Sequence, residues 1–135
     1  MASFRLQIIT PDRIFYDDDA ERLIVRTTDG EMGVLAKHEN FAGALPSGPI
    51  KIMKDGKYRI AALSSGVLKV SAEKTTIIAE AVEWADEIDI EWANRSAEEA
   101  REKIKNKESD KEMLYAELKL KRAINRINVH SGNYK

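Results

Sequence analysis

Up to about residue 85, apolar side chains come in short, often β-branched runs separated by turn residues. Beyond it they recur every three or four positions. The early runs include residues 4–8 (FRLQI), 22–26 (RLIVR), 58–61 (YRIA), 67–70 (VLKV) and 75–79 (TTIIA). Each is long enough for a strand and too short for a helix. Turn signals lie between them: Pro11-Asp12, Asp17-Asp18-Asp19, Asp29-Gly30, Asp55-Gly56 and Ser64-Ser65-Gly66. Many short strands about ten residues apart predict an all-β sandwich or barrel. Asp55-Gly56, between Ile52-Met53-Lys54 and Lys57-Tyr58-Arg59, is the clearest hairpin turn.

After residue 85 there is no proline, and the sole glycine is Gly132. Asp86-Glu87-Ile88-Asp89 reads as a helix start, with Asp86 as the cap and acids in the first turn. This helix is expected to reach about Lys105 and to carry Ala93, Ala97, Ala100 and Ile104 on one stripe. Ser109 and Glu112 have the spacing of a capping box opening a second helix. At about 100° per residue, Met113, Ala116, Leu120, Ile124 and Ile127 form its apolar stripe. A break of three or four residues between two helices predicts an antiparallel hairpin. The organisation is therefore an all-β N-terminal sandwich over residues 1–85 and a C-terminal antiparallel α-helical hairpin over 86–135. Each helix offers a narrow apolar stripe, too little for independent stability. The hairpin must lie on the sandwich, lie on a partner, or alternate between them.

Composition narrows the classes. The 135 residues suffice for one domain with an appendage, and 43% apolar with 33% charged residues fits a soluble globular chain with a long exposed helical surface. A net charge of −1 gives no global basic field for nucleic acid. The absence of cysteine removes disulfides, thiolate catalysis and zinc-finger chemistry. No apolar run approaches the ~20 residues of a membrane span, and MASFRLQIIT lacks the layout of a signal peptide. The expectation is a soluble chain facing the cytosol, able to sit on a membrane complex through a partner.

Candidate chemistry is sparse. Asp17-Asp18-Asp19 suggests a metal cluster, but adjacent acids point in different directions and no second cluster supplies further ligands; a solvated turn is the stronger reading. His38 has no serine, cysteine or second histidine arranged for catalysis or metal binding, so it reads as a structural or interface residue. No phosphate-cradling glycine loop, triad or paired acid–base site is present. The chain reads as non-catalytic, with no metal and no cofactor. The second helix is different: Tyr115, Lys119, Arg122 and Arg126 share a face opposite the apolar stripe. From Leu118 to Lys135 there are five cations and no acid. Cations near a helix C-terminus gain roughly 0.3–1 kcal/mol each from the dipole, which could be the whole explanation. The alternative is a docking face for acidic groups or phosphates.

Residues 30–52, GEMGVLAKHENFAGALPSGPIKI, carry the most specific pattern. Gly30 and Gly33 are read as flanking a tight turn, and the glycines at 30, 33, 43 and 48 as positive-φ positions. The order Gly30-Glu31-x-Gly33-Val34-Leu35-x-x-His38, followed by Leu45-x-x-Gly48-x-Ile50-x-Ile52, closely resembles the epsilon subunit of rotary F-type ATP synthases. Residues 120–126 (LKRAINR) resemble it well, and the layout of the whole chain agrees.

The resemblance implies a non-catalytic central-stalk subunit that couples ion-driven rotation to ATP synthesis. Its sandwich would bind the gamma subunit of the central shaft and the membrane rotor ring of c subunits, with Glu31 and His38 as ring-contact candidates. Its hairpin would inhibit ATP hydrolysis through a basic face of Lys119, Arg122 and Arg126 that meets acidic segments of the alpha/beta catalytic head. The complex would sit at the cytoplasmic face of the cell membrane, with this chain peripheral.

Some bacterial members also bind ATP as a regulatory ligand. Of their pattern Glu83, Asp89, Ala93, Arg122 and Arg126 match, but Trp92 stands where an arginine is usual, and Glu99 where a further arginine is often found. Charge-assisted hydrogen bonds contribute about 1.5–3 kcal/mol each, so losing two costs roughly two to four decades in affinity. Weak or absent ATP binding is expected. The rivals are an ATP-sensing module and a plain assembly module without inhibition; an enzyme on a β-sandwich fails for want of convergent polar groups.

Overall fold

Eight strands precede any helix in the computed structural model, which describes residues 2–106 and 109–133. They are β1 (Phe4–Ile9), β2 (Ile14–Ala20), β3 (Arg22–Thr27), β4 (Gly30–Val34), β5 (Phe41–Leu45), β6 (Gly48–Lys54), β7 (Lys57–Val70) and β8 (Thr75–Trp84). Their order is β2-β1-β8-β7-β6-β3-β4, with β5 paired to β7. All described pairings are antiparallel except β1 with β8.

The long strand β7 makes the sandwich. Residues 57–63 pair with β6 and residues 66–70 with β5, while β8 runs along both halves. The strand changes partner around Ser65, which has φ +48°, so Ser64-Ser65-Gly66 is a corner inside a strand and not the expected turn. A Cβ on Gly66 would lie 2.7 Å from the Ile78 carbonyl oxygen and 3.2 Å from the Ala79 Cα. Glycine is needed there because two backbones meet. The alternation within each strand aims Leu6, Ile8, Leu23, Val25, Val34, Leu45, Ile50, Leu63, Leu68 and Ile77 into one core.

Two further expectations change. Asp17-Asp18-Asp19 lie inside β2, an edge strand, and pair with Gln7, Leu6 and Arg5 of β1. An edge strand tolerates charge because one side faces water, and charge there discourages pairing with other chains. In the 30–33 segment the turn is at residues 28–29, closed by the Thr27–Gly30 pair, and Gly33 sits in mid-strand opposite Ile24. Of the four glycines read as positive-φ positions, Gly30 alone is one, at φ +120°. Asp55-Gly56 is the hairpin turn foreseen, with φ +53° and +75°, both left-handed as a type I′ turn requires.

The chain divides into two compact units between Trp84 and Ala85. In the second, a short 3-10 turn (Ala85–Glu87) precedes α1 (Ile90–Asn106) and α2 (Asp110–Ser131). The cap of α1 is Asp89 and not Asp86: its Oδ1 accepts the Trp92 N–H at 3.0 Å. The 3-10 turn uses up the residues after Asp86 and delays the helix. Ser109 caps α2, accepting the Glu112 N–H at 3.1 Å. Gly132, at φ +84°, ends it, with its own N–H on the Val129 carbonyl and that of Asn133 on the Asn128 carbonyl. That is the left-handed Schellman closure that glycine permits.

Candidate functional site

The predicted stripe of α1 holds at Ala93, Ala97 and Ala100, which are buried together with Ser96; Ile104 is half-buried. On α2 the buried apolar residues are Ala116, Ala123 and Val129, with Asn125, whereas Met113, Leu120, Ile124 and Ile127 are half-buried. The two helices therefore meet on small residues, which allow close approach and leave room beside the seam for long side chains.

The basic residues occupy that room. Lys119 Nζ lies 3.6 Å from Glu99 Oε2. The Arg126 guanidinium sits 5.0 Å from the Trp92 ring centroid, within cation–π range. Lys119, Arg122 and Arg126 do share a face, but two of them meet α1, and Arg122 and Arg126 are half-buried. The sequence reading placed this face opposite the apolar stripe; the alanines at 116 and 123 instead bring it to the seam. Tyr115, near the other end of α2, is 68% exposed. Lys135, counted among the cations, lies outside the described residues.

Of the residues matched to a nucleotide pattern, Asp89 caps α1 and Arg126 lies over Trp92. Glu83 is on β8 opposite Ala62, in the other unit. Trp92 is 43% exposed and is held at the start of α1 by the Asp89 cap.

On the sandwich, Glu31 is exposed on β4 opposite Arg26, next to the 28–29 turn. His38 belongs to the loop after the other end of β4, where its backbone N–H reaches the Leu35 carbonyl at 3.2 Å and its Nδ1 lies 2.8 Å from the Glu39 carbonyl. The structure places the two at opposite ends of one strand, roughly 13 Å of extended chain apart from residue 31 to residue 35. Leu35 and Phe41 flank His38 and are exposed.

Sequence reasoning missed one surface. The registers set Ile14 against Ile9, Ile9 against Ile78, Ile78 against Val67, and Val67 against Ala44. This is a continuous aliphatic row across five strands. Ile14, Ile78 and Val67 are 59%, 60% and 54% exposed. The signal was the doublets Ile8-Ile9, Val67-Leu68 and Ile77-Ile78: in a strand, one of two adjacent apolar residues must face outward.

Charge is concentrated at the β2 edge. Arg5 donates to Asp17 Oδ1 at 2.8 Å, and its Nη1 is 3.9 Å from Asp19; Asp18 points the other way, to Lys54. The hydrogen bond from Lys54, then that from the Asp19 N–H, lowers the Asp18 pKa, and the same bond raises that of Lys54. Burial, then the Asp18 charge, raises the Tyr16 pKa. These carboxylates serve cross-strand pairing and do not converge on one point.

Comparison with known proteins agrees with this architecture. A family model described as ATP synthase, Delta/Epsilon chain, beta-sandwich domain matches residues 3–85, and the corresponding long alpha-helix domain matches 86–131. The ATP synthase epsilon chain of Ruminococcus albus is 43% identical over 130 residues, covering 96% of this chain and 97% of that relative. That of Caldicellulosiruptor bescii is 38% identical over 133 residues, with 98% and 97% covered. Among solved structures, a chain in the Euglena gracilis mitochondrial ATP synthase (OSCP/F1/c-ring) superposes with a TM-score of 0.80 at 26% identity, over 93% of this chain and 79% of that one. A chain of the Tetrahymena thermophila mitochondrial ATP synthase, from its central stalk and c-ring, shares the fold at a TM-score of 0.56 and 18% identity, over 65% of this chain and 71% of that one. With both parts of the chain matched in order and near-full-length relatives at this identity, the chain belongs to the ATP synthase delta/epsilon family, as an epsilon chain.

Proposed function

We propose that this chain is a non-catalytic subunit of the central stalk of a rotary F-type ATP synthase. Its sandwich binds the gamma subunit and the rotor ring and so couples ion-driven rotation to ATP synthesis. Its hairpin restrains ATP hydrolysis by presenting Lys119, Arg122 and Arg126 to acidic segments of the alpha/beta head. The complex is membrane-associated, and no helix among the described residues is long and apolar enough to cross a membrane. The chain is thus a peripheral component, placed by this reading at the cytoplasmic face, with no part for nucleic acid.

One observation carries the stalk reading: the aliphatic row Ile14–Ile9–Ile78–Val67–Ala44. An exposed apolar row of this length marks a protein interface, and Ile9, Val67 and Ile78 border a depression with Pro11 and Gly66 that a partner side chain can enter. Glu31 and His38, at the two ends of β4, remain the candidates for the ring. Replacing Ile78 by Asp puts a charge at the centre of the row without touching the core. Binding to purified gamma subunit is expected to weaken by at least about tenfold, the equivalent of 1.4 kcal/mol. Unchanged affinity from a folded I78D chain would move the shaft interface elsewhere.

The hairpin reading is tested by ATP hydrolysis in the assembled complex, comparing the full chain with one truncated before Asp86. Faster hydrolysis with the truncated subunit still bound is the expected result. Unchanged hydrolysis would leave the hairpin an assembly element. Asp89 spent on a helix cap and Arg126 on Trp92 both support weak or absent ATP binding at Glu83, Asp89, Arg122 and Arg126. Micromolar affinity by calorimetry would overturn that.

A further inference from the structure

We propose that Trp92 and Glu99 of α1 form an internal clasp on Arg126 and Lys119 of α2, so that the basic face reaches an acidic partner only once the helices part. This rests on the reading of the hairpin as a brake. The two contacts belong to one register. Moving seven residues along α1, from Trp92 to Glu99, moves seven back along α2, from Arg126 to Lys119. Seven residues are two helical turns, so both rungs lie on the same side of the seam. The same register sets buried Ser96 opposite half-buried Arg122. The next rung is Lys103 and Tyr115, which line one depression with Lys111, Glu112, Leu114 and Leu118; Tyr115 carries no charge to hold Lys103 across the seam as Glu99 holds Lys119. The clasp therefore grips the half of the hairpin remote from the connection, and all three basic residues of the proposed brake lie within its span.

The chemistry gives the clasp a bounded strength. A partly exposed cation–π contact changes the closed-to-open ratio by about two- to fivefold. The Glu99–Lys119 pair, with side chains 65% and 36% exposed, contributes up to about fivefold. Together they bias the hairpin by roughly an order of magnitude. An acidic surface that binds the open face with a larger preference than that opens it, since a ligand shifts an equilibrium only by its differential affinity. Trp92 and Glu99 are thus competitors for the cations that the catalytic head would bind. Without them the same face is more available and the brake engages more often.

The test uses the assembled ATP synthase complex carrying the full chain, W92A, E99Q, the double variant, or the chain truncated before Asp86. Hydrolysis is expected to be fastest with the truncation. W92A and E99Q should each hydrolyse about two- to fivefold more slowly than the unaltered chain under conditions where the brake is partly engaged. E99Q removes a surface charge and cannot unfold the hairpin, so it keeps the test open if W92A does. If truncation accelerates hydrolysis while both substitutions leave it at the unaltered rate, the clasp is overturned and the brake stands. If truncation changes nothing, the brake reading fails and the clasp has nothing to gate. A second readout separates the contact from its consequence. In the isolated W84F chain, where Trp92 is the sole tryptophan, R126A should shift Trp92 emission; no shift would mean that the pair does not form.

Discussion

Gly66→Ala is a one-carbon change whose effect follows from two distances. The new Cβ would stand 2.7 Å from the Ile78 carbonyl oxygen and 3.2 Å from the Ala79 Cα. Both belong to backbone, and neither can rotate away. The clash can be relieved only by moving β8 off β7 at the corner where β7 changes partner from β6 to β5. Overpacking of this kind costs about 1–3 kcal/mol. With a urea m-value of about 1–3 kcal/mol/M, the midpoint should fall by roughly 1 M. Trp84 reports the sandwich directly, since its ring lies 4.5 Å from that of Phe15 and under the Arg59 guanidinium at 3.7 Å. A W92F background leaves it as the one tryptophan, so the transition can be followed by its fluorescence. Gly33→Ala is the control: it is also mid-strand and not at positive φ, but a Cβ there meets nothing within 4 Å. It should be neutral or slightly stabilising, because alanine restricts the unfolded chain. If G66A and G33A unfold at the same urea concentration, the argument that backbone proximity selects Gly66 is wrong.

Other expectations follow from the hairpin and the β2 edge. Ser109→Ala removes the acceptor for the Glu112 N–H and should destabilise the hairpin by about 1 kcal/mol, read as a loss of helicity on heating; Ser109→Asp should restore it. The Asp18 pKa is lowered in the folded chain, so its contribution is present above the unfolded carboxylate value of about 3.9 and is lost as pH falls through the folded value. The Lys54 pKa is raised, so its contribution is complete below the unfolded value of about 10.4 and disappears as pH rises through the folded one. Between these limits the Asp18–Lys54 pair should make stability flat with pH. D18N should remove the part of the acid-limb slope that comes from this pair, as seen in urea midpoints measured between about pH 2 and 6.

The sequence by itself determined the elements that local chemistry enforces. The change of rhythm near residue 85 separated strands from helices. Asp55-Gly56 specified a turn with two left-handed residues, and Ser109-x-x-Glu112 specified a cap. These depend on residues adjacent or three apart in the chain. Asp86 failed as a cap because Asp89 offers the same carboxylate one turn later, and local sequence does not choose between two good caps. Asp17-Asp18-Asp19 and Ser64-Ser65-Gly66 failed as turns because a strand accepts such residues at an edge or a corner, and position in the sheet is not a local property. The ring-contact candidates were named from resemblance and the basic face from its helical spacing, but not their arrangement: Glu31 lies in β4 and His38 in the loop beyond its far end, and the cations lie on the helix seam.

Tertiary structure alone decided what depends on register. Ile9, Ile78 and Val67 come from doublets that any strand could contain; only the pairing of five strands lines them into one row with Ile14 and Ala44. Arg126 and Lys119 are thirty-four and twenty residues from Trp92 and Glu99. They meet because alanines at 93, 97, 100, 116 and 123 let two helices close in one antiparallel register. Local spacing sets which residues share a face. Long-range pairing sets what that face meets, and on that the proposed work of both units depends.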